Sequence, residues 1–436
     1  MPLEPATQEH RSRIRFYLCF WLFILSAISF LDRTNISIAG IHISREFGLG
    51  NQQLGWIFSA FLIGYASFQI PAGMLAVRFG PRRVLTAGVL IWAICNILTA
   101  LLPSGFSQVI VLLVALRCAL GLAEAVIYPA ANQFVARWVP QKERGKINGL
   151  IFAGVGVGSG PTAPLLTWII LAWGWRAAFW FDAALGVMGA IVWWMIARDR
   201  PEDHPMVSAG ERQEIEQGLT SYAVAAADAP RVVEHKISWR AMFSRVDLPA
   251  LMVSYFAFGY TAWVFFSWFY IYMVQARGLN LKTSALFTMM PFVCMTVFCL
   301  GGGTLSDRLT RTVNLRVGRC YLASVAMFFT SAFLILGSRV QGAFAAAVLL
   351  ALGAGCLYFS QSSFWSASSD LAGKNSGVFS SLVNMACQVG AAITASLTPW
   401  LAARFDWKMP FAVAAAFVFV GALSWLLVHP ERPLEA

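Results

Sequence analysis

Residues 16–40 read FYLCFWLFILSAISFLDRTNISIAG, an apolar run whose only charges are Asp32 and Arg33. Coiled into an α-helix, it would extend about 37 Å, enough to cross the roughly 30 Å of hydrocarbon in a bilayer. Arg11, Arg13 and Arg15 stand before it, as in a secretory leader. The run continues to Gly40 without a clear small-residue cleavage site, so a retained first membrane helix is expected.

Runs of similar length recur at about 54–77, 84–102, 107–137, 145–170 and 175–197. A polar stretch from Arg198 to Asp247, with nine acidic and seven basic residues, interrupts them. Six more follow at about 249–275, 284–305, 319–338, 342–369, 376–402 and 408–429. The pattern predicts an all-α membrane protein with twelve transmembrane helices in two six-helix bundles, 1–197 and 249–436, joined by a linker over 198–248. Composition agrees. Of 436 residues 58% are hydrophobic and only 12% charged, about half the charge of a soluble domain. Many of the 17 Trp, 34 Phe and 10 Tyr sit near the ends of apolar runs, as interfacial belts require.

The net charge of +11 would suit nucleic acid, but the basic residues lie in short loops between apolar spans, so no nucleic-acid partner is expected. Of the 32 Lys and Arg, sixteen fall at the termini and even-numbered loops, seven in the odd-numbered loops and seven in the linker. By the positive-inside rule both termini and the linker are expected in the cytoplasm, with the chain in a cell inner membrane. The eight cysteines are scattered without a CxxC or Cys/His cluster, which argues against a zinc site or a disulfide framework. No nucleophile–base set, ATP motif or cofactor motif is present, so neither an enzyme nor a cofactor is expected. Gly154, Gly156, Gly158 and Gly160 lack the strand and the Lys-Ser/Thr of a phosphate loop and read as a close-packing helix surface.

The halves echo each other. After the second run stands Gly73-Met-Leu-Ala-Val-Arg78-Phe-Gly80-Pro-Arg82-Arg83, and after the eighth Gly303-Thr-Leu-Ser-Asp307-Arg308-Leu-Thr-Arg311. These loops resemble the signature of the major facilitator superfamily, although Val77 occupies the usual aspartate position of the first copy. Phe30-Leu-Asp32-Arg33-Thr-Asn35, Arg117-Cys-Ala-Leu-Gly-Leu-Ala-Glu124-Ala, Trp138-Val-Pro140, Glu143-Arg144-Gly145 and the RPEDHP segment at 200–205 resemble, within it, the anion:cation symporter family. That family includes bacterial permeases for hexuronate, glucarate, galactonate, tartrate and phthalate, and animal vesicular organic-anion carriers.

An ionisable group at mid-bilayer costs roughly 3 kcal/mol or more, so each is a functional candidate by default. Asp32, Arg33, Arg117, Glu124 and Asp182 fall inside runs of the first half, and the second half has no charge at a helix centre. Arg117 and Glu124 lie two turns apart on one helix face, about 10 Å of rise, too far for an easy direct pair. Adjacent Asp32 and Arg33 point about 100° apart, so one is expected to line a cavity and the other to touch a neighbouring helix. Arg33 is also placed to snorkel or pair at the bundle edge, and Asp182 is read beside Arg176 near the outer surface. An arginine fork binds a carboxylate and stays charged, while a buried carboxyl gains or loses its proton with its surroundings.

Neutral polar and aromatic groups complete the list: Tyr65 and Gln69 on the second run, Gln361 and Trp365 on the tenth, Asn384 and Gln388 on the eleventh. They suit the hydroxyls of a polyhydroxy acid, and equally suit packing. The resemblance implies that Asp32 and Glu124 carry protons, that Arg117 organises them, and that Tyr65 and Asn384 contact substrate. The loops bearing Arg78, Arg82, Asp307 and Arg308 are expected to pair with helix ends across the bundle interface as a gate. The expected function is proton-coupled uptake of a small organic anion, most simply a sugar acid, by a monomer in the lipid bilayer. Uptake of an aromatic or dicarboxylic acid, and export or exchange of amphipathic compounds, stay open.

Overall fold

The computed structural model describes residues 12–105, 108–217, 243, 245–372 and 376–432, with backbone alone at 141–142, 144–146 and 376–378. Arg11 and most of the expected linker, 218–242, lie outside the described residues. Among the described residues, twelve helices are long and apolar enough to cross a membrane. In the first half these are α1 (Ile14–Phe47), α2 (Asn51–Phe79), α3 (Pro81–Ala100), α4 (Val109–Trp138), α5 (Ile147–Trp173) and α6 (Trp175–Ile196). The second half supplies α7 (Asp247–Gln275), α8 (Leu281–Thr312), α9 (Val317–Arg339), α10 (Ala343–Ala372), α11 (Phe379–Arg404) and α12 (Lys408–Leu427). The described residues contain no strand.

Several helices outrun the apolar stretches that announce them. α1 continues to Phe47 and stops at Gly48, whose φ of 67° is the left-handed conformation and whose N–H bonds the Ser44 carbonyl. Apolarity marks only the lipid-crossing part, whereas backbone hydrogen bonding continues to a cap. α4 breaks internally at Ala125–Val126. Pro129 explains the break, because its ring clashes with the carbonyl four residues earlier and it offers no N–H. Glu124 therefore ends a helical segment at the middle of its span. In α7, Val264–Trp268 winds as a wide π-turn.

Close helix approach depends on glycine. A Cβ on Gly64 of α2 would meet the Cys118 carbonyl of α4, and one on Gly121 would meet that of Phe61. The two backbones thus touch at the level of Arg117 and Glu124. Gly154 and Gly158 of α5 press likewise against the backbone of α1 at Phe23 and Ala27, as a packing surface should.

The start of α1 and the ends of α6 and α12 share one face, where the Ser12 amide donates to the Ser208 hydroxyl and Arg245 donates to the Arg432 carbonyl. Hydrogen bonds between the halves gather toward the opposite face. Asn51 bonds Gln275 at 2.9 Å, Ser59 bonds Ser396 at 2.7 Å, Ser37 donates to the Ser267 carbonyl at 2.7 Å and Gln52 to that of Ser396 at 3.2 Å. The halves are sealed at that end. On the terminal face, the linker segment 209–217 folds back as a helix onto the first half. There Glu211 accepts from Ser12 and from the Ile14 and Arg15 amides, and Arg15 pairs with Glu214 at 2.8 Å.

Candidate functional site

Among the described residues, five charged side chains are buried in mid-span, and all five belong to the first half. Asp32, Glu124 and Asp182 are 0% exposed, Arg117 1% and Arg33 7%. Three carboxylates against two guanidinium groups leave one negative charge if all are ionised, in surroundings where an unpaired ion costs several kcal/mol.

The divergence of Asp32 and Arg33 around α1 sends them to different neighbours. Arg33 faces the other half. Its Nε donates to Glu124 Oε2 at 2.7 Å. Its guanidinium lies over the rings of Phe30, Tyr65 and Phe61 at 4.4, 4.6 and 5.4 Å, an arrangement that holds a desolvated cation by its π faces. Arg33 is therefore neither snorkelling nor at a bundle edge, and it, not Arg117, is the ion partner of Glu124. Asp32 points into the first half, where Asn96 Nδ2 of α3 donates to its Oδ1 at 2.9 Å.

Arg117 has no such partner. Its Nε and Nη2 are buried without a hydrogen bond, its guanidinium lies 5.5 Å from the Phe179 ring, and Asp32, Glu124 and Asp182 act on it at longer range. Leaving a charged donor unmet normally costs 1–3 kcal/mol or more. Arg33 and Arg117 together line a cavity with Phe58 and Phe61 of α2 and with Trp263 and Ser267 of α7. It holds only about 10 Å³, room for about one water molecule, so an organic anion requires the halves to part. The π-turn of α7 begins beside Trp263, and its Ser267 carbonyl accepts from Ser37 across the interface. Such turns spare a carbonyl from the regular ladder and recur at functional sites.

The neutral candidates form two further groups. Asn384 Nδ2 donates to Gln69 Oε1 at 3.3 Å, which joins α11 to α2 across the interface. Gln388 is one turn farther along α11, with Oε1 buried and unpartnered. Gln361 Nε2 donates to the Tyr255 hydroxyl at 2.9 Å, and Trp365, 40% exposed, meets the same ring edge-on at 6.3 Å. Arg33, Arg117 and Tyr65 are thus brought together, Gln69 and Asn384 are bonded to each other, and Gln361 and Trp365 gather round Tyr255 instead.

Asp182 corrects the sequence reading. Arg176 pairs with Glu46 at 2.7 Å, while Asp182 turns inward, accepts from Asn35 Nδ2 and lies within reach of Asp32. Asn35 and Asn96 are members of the site that sequence reasoning misses. Their signal is an amide in an apolar helix, which needs a partner. The loop residues stay within their own halves here. Arg82 Nη2 donates to the Trp194 carbonyl at 2.6 Å, and its backbone N–H bonds Asp199 at 2.9 Å. Asp307 pairs with Arg319 at 2.9 Å, and Arg319 reaches Asp370 at 3.4 Å. Arg78 lies over the Phe79 ring at 5.1 Å, and the Arg308 carbonyl accepts from Thr312.

Known proteins agree with this architecture. The chain is 32% identical over 430 residues to a "Probable sulfoacetate transporter SauU" of Cupriavidus necator, covering 98% of this chain and 97% of that protein. It is 29% identical over 442 residues to a "Probable galactarate/D-glucarate transporter GudP" of Escherichia coli, covering 97% and 92%. Among solved structures it resembles an inward-facing, occupied bacterial homolog of the human lysosomal transporter Spinster, with TM-score 0.76, 17% identity and coverage of 95% and 97%. The family model of the Major Facilitator Superfamily matches residues 22–395. With twelve spanning helices and that match over most of its length, the chain is a membrane transporter belonging to the Major Facilitator Superfamily.

Proposed function

We propose that the protein imports a small organic anion together with protons, by alternating access of its two halves. The observation that carries this reading is Arg117, a fully buried cation with two unpartnered donors on the inter-half cavity, beside carboxylates able to carry protons. A carboxylate supplies the bidentate acceptor such a fork lacks. Protonation of Glu124 would release Arg33 from its pair and add a second cation to the cavity, so anion and proton would favour each other's binding. Asp32 and Glu124 are the proposed proton carriers; Arg33, Arg117 and Tyr65 bind the anionic end, and Gln69, Asn384, Gln388, Gln361 and Trp365 the rest. The relative described as a galactarate/D-glucarate transporter supports a sugar acid such as a hexonate, hexuronate or aldarate.

A second reading follows from the more similar sulfoacetate relative: a short acid with a sulfonate at one end and a carboxylate at the other, matched to two arginines on one cavity. In either case the chain is proposed to work as a monomer in a cell inner membrane with cytoplasmic termini. Arg78, Arg82, Asp307 and Arg308 would draw the terminal-face ends together in the opposite state. The test is uptake of labelled sugar acids, sulfoacetate, aromatic acids and neutral sugars into proteoliposomes, under inward proton or sodium gradients. Accumulation of one acid that needs the proton gradient is expected. Accumulation under sodium alone, or equal entry of neutral sugars, would remove the proposal.

A further inference from the structure

Three carboxyl groups in the first half are built alike, each with one oxygen held and one left open. Glu124 Oε2 accepts from Arg33, Asp32 Oδ1 accepts from Asn96, and Asp182 Oδ2 accepts from Asn35. Glu124 Oε1, Asp32 Oδ2 and Asp182 Oδ1 are buried without any donor. Asp32, in the middle, is within hydrogen-bonding reach of both others. An ionised carboxylate only accepts hydrogen bonds, so carboxylates within hydrogen-bonding reach of one another repel unless a proton lies between them. Three helices have brought together acceptors that lack a donor, and a proton is the smallest group that satisfies them.

We propose that Asp182, Asp32 and Glu124 form one proton-holding chain in which Asp182 is the outermost member. Asp182 lies two turns from Trp175, the start of α6 at the sealed face, about 10 Å below that end. The groups acting on it are Asp32 and Asn35 on α1 and Arg117 on α4, and through Asp32 and Arg117 it is linked to Cys95 and Asn96 on α3 and to Glu124 on α4. A proton arriving at Asp182 Oδ1 is shared with Asp32 Oδ2. Passing on to Glu124 Oε1, it leaves Asp182 ionised and makes Glu124 neutral, which frees Arg33 for an anion. Only O–H bonds form and break. The transport consequence rests on the proton-coupled reading above, whereas the shared proton does not.

Infrared spectroscopy of the purified full chain in lipid nanodiscs tests the chain without any substrate. The probe is the protonated-carboxyl stretch, followed against pH. Wild type is expected to show it at neutral pH. Asp182→Asn replaces a repelling carboxylate by an amide donor, so the midpoint at which the band disappears should fall by about one pH unit or more. Asp182→Glu should keep it near the wild-type position. Asn35→Ala removes the donor that favours ionised Asp182, so the midpoint should rise, and this opposite shift tests the idea should Asp182→Asn fail to fold. A wild-type spectrum without the band, or midpoints that Asp182→Asn or Asn35→Ala leaves in place, would overturn the proposal even if uptake proves proton-driven. Conversely, shifted midpoints with gradient-independent uptake would leave the chain standing and remove only the symport reading.

Discussion

The two halves follow one six-helix plan, yet among the described residues only the first keeps charge in mid-span. The first half buries Asp32, Arg33, Arg117, Glu124 and Asp182. The second buries hydroxyl and aromatic groups, keeps the amides of Gln361, Asn384 and Gln388 partly buried, and has its ion cluster Asp307–Arg319–Asp370 at the terminal face. The repeated loops differ in the same way. Asp307 ties α8 to α9, whereas Val77 has no such ability and Asp199 caps the loop at Arg82 instead. Buried charge thus lies in the first half and neutral polar groups in the second, the division expected if, as proposed, the first half handles charge and protons and the second neutral recognition.

Neutralising one arginine in each half should separate the two most widely. Arg117→Gln should lower anion binding and uptake by about a hundredfold or more, given 2–5 kcal/mol for a buried charge contact. Arg319→Gln should change the transport rate by less than about tenfold and leave affinity intact. Binding isotherms on matched, well-expressed proteins decide this, and unchanged affinity in Arg117→Gln removes the division of labour. Next in size is the Arg33–Glu124 pair. Arg33→Leu or Glu124→Leu alone should each cost about 3 kcal/mol by orphaning a buried charge, and the double substitution far less than their sum. Thermal unfolding of the four proteins in one detergent measures the coupling; additive losses would mean that the pair is not a unit.

On the neutral side, Asn384→Ala and Gln388→Ala should each raise KM about fivefold, near 1 kcal/mol per lost hydrogen bond. Their pH dependence of uptake should match wild type, because neither group titrates. A shifted pH profile would place proton handling in the second half too. The smallest effect concerns His204 on the terminal face, whose ring contacts Trp138 edge-on at 5.7 Å. Burial holds its pKa below the usual histidine value, so the unfolded chain binds the extra proton first. Its contribution is complete above the ordinary histidine range and is lost as pH falls. Unfolding scans at pH 7 and pH 5 should show less acid sensitivity in His204→Gln, by under about 1 kcal/mol.

Much of this architecture is legible in the amino-acid sequence alone. Span length and missing charge specify the helices, and the cost of intramembrane charge singles out Asp32, Arg117 and Glu124. The partners are not legible there. Arg33 and Glu124 are ninety-one positions apart and meet only through the crossing of α1 and α4. Asp182 is easily misread because Arg176 is its neighbour in sequence, while the helix turns the two to different sides. The break after Glu124 is signalled by Pro129, but the apolar pattern runs straight through it and hides the signal.

Proton coupling through Glu124 is tested most directly by comparing net uptake with exchange for wild type and Glu124→Gln in proteoliposomes. Glutamine keeps the shape of protonated glutamate but cannot release a proton. The variant should lose gradient-driven accumulation of the anion while still exchanging internal for external anion at near wild-type rate. Gradient-driven accumulation that survives in Glu124→Gln would contradict it.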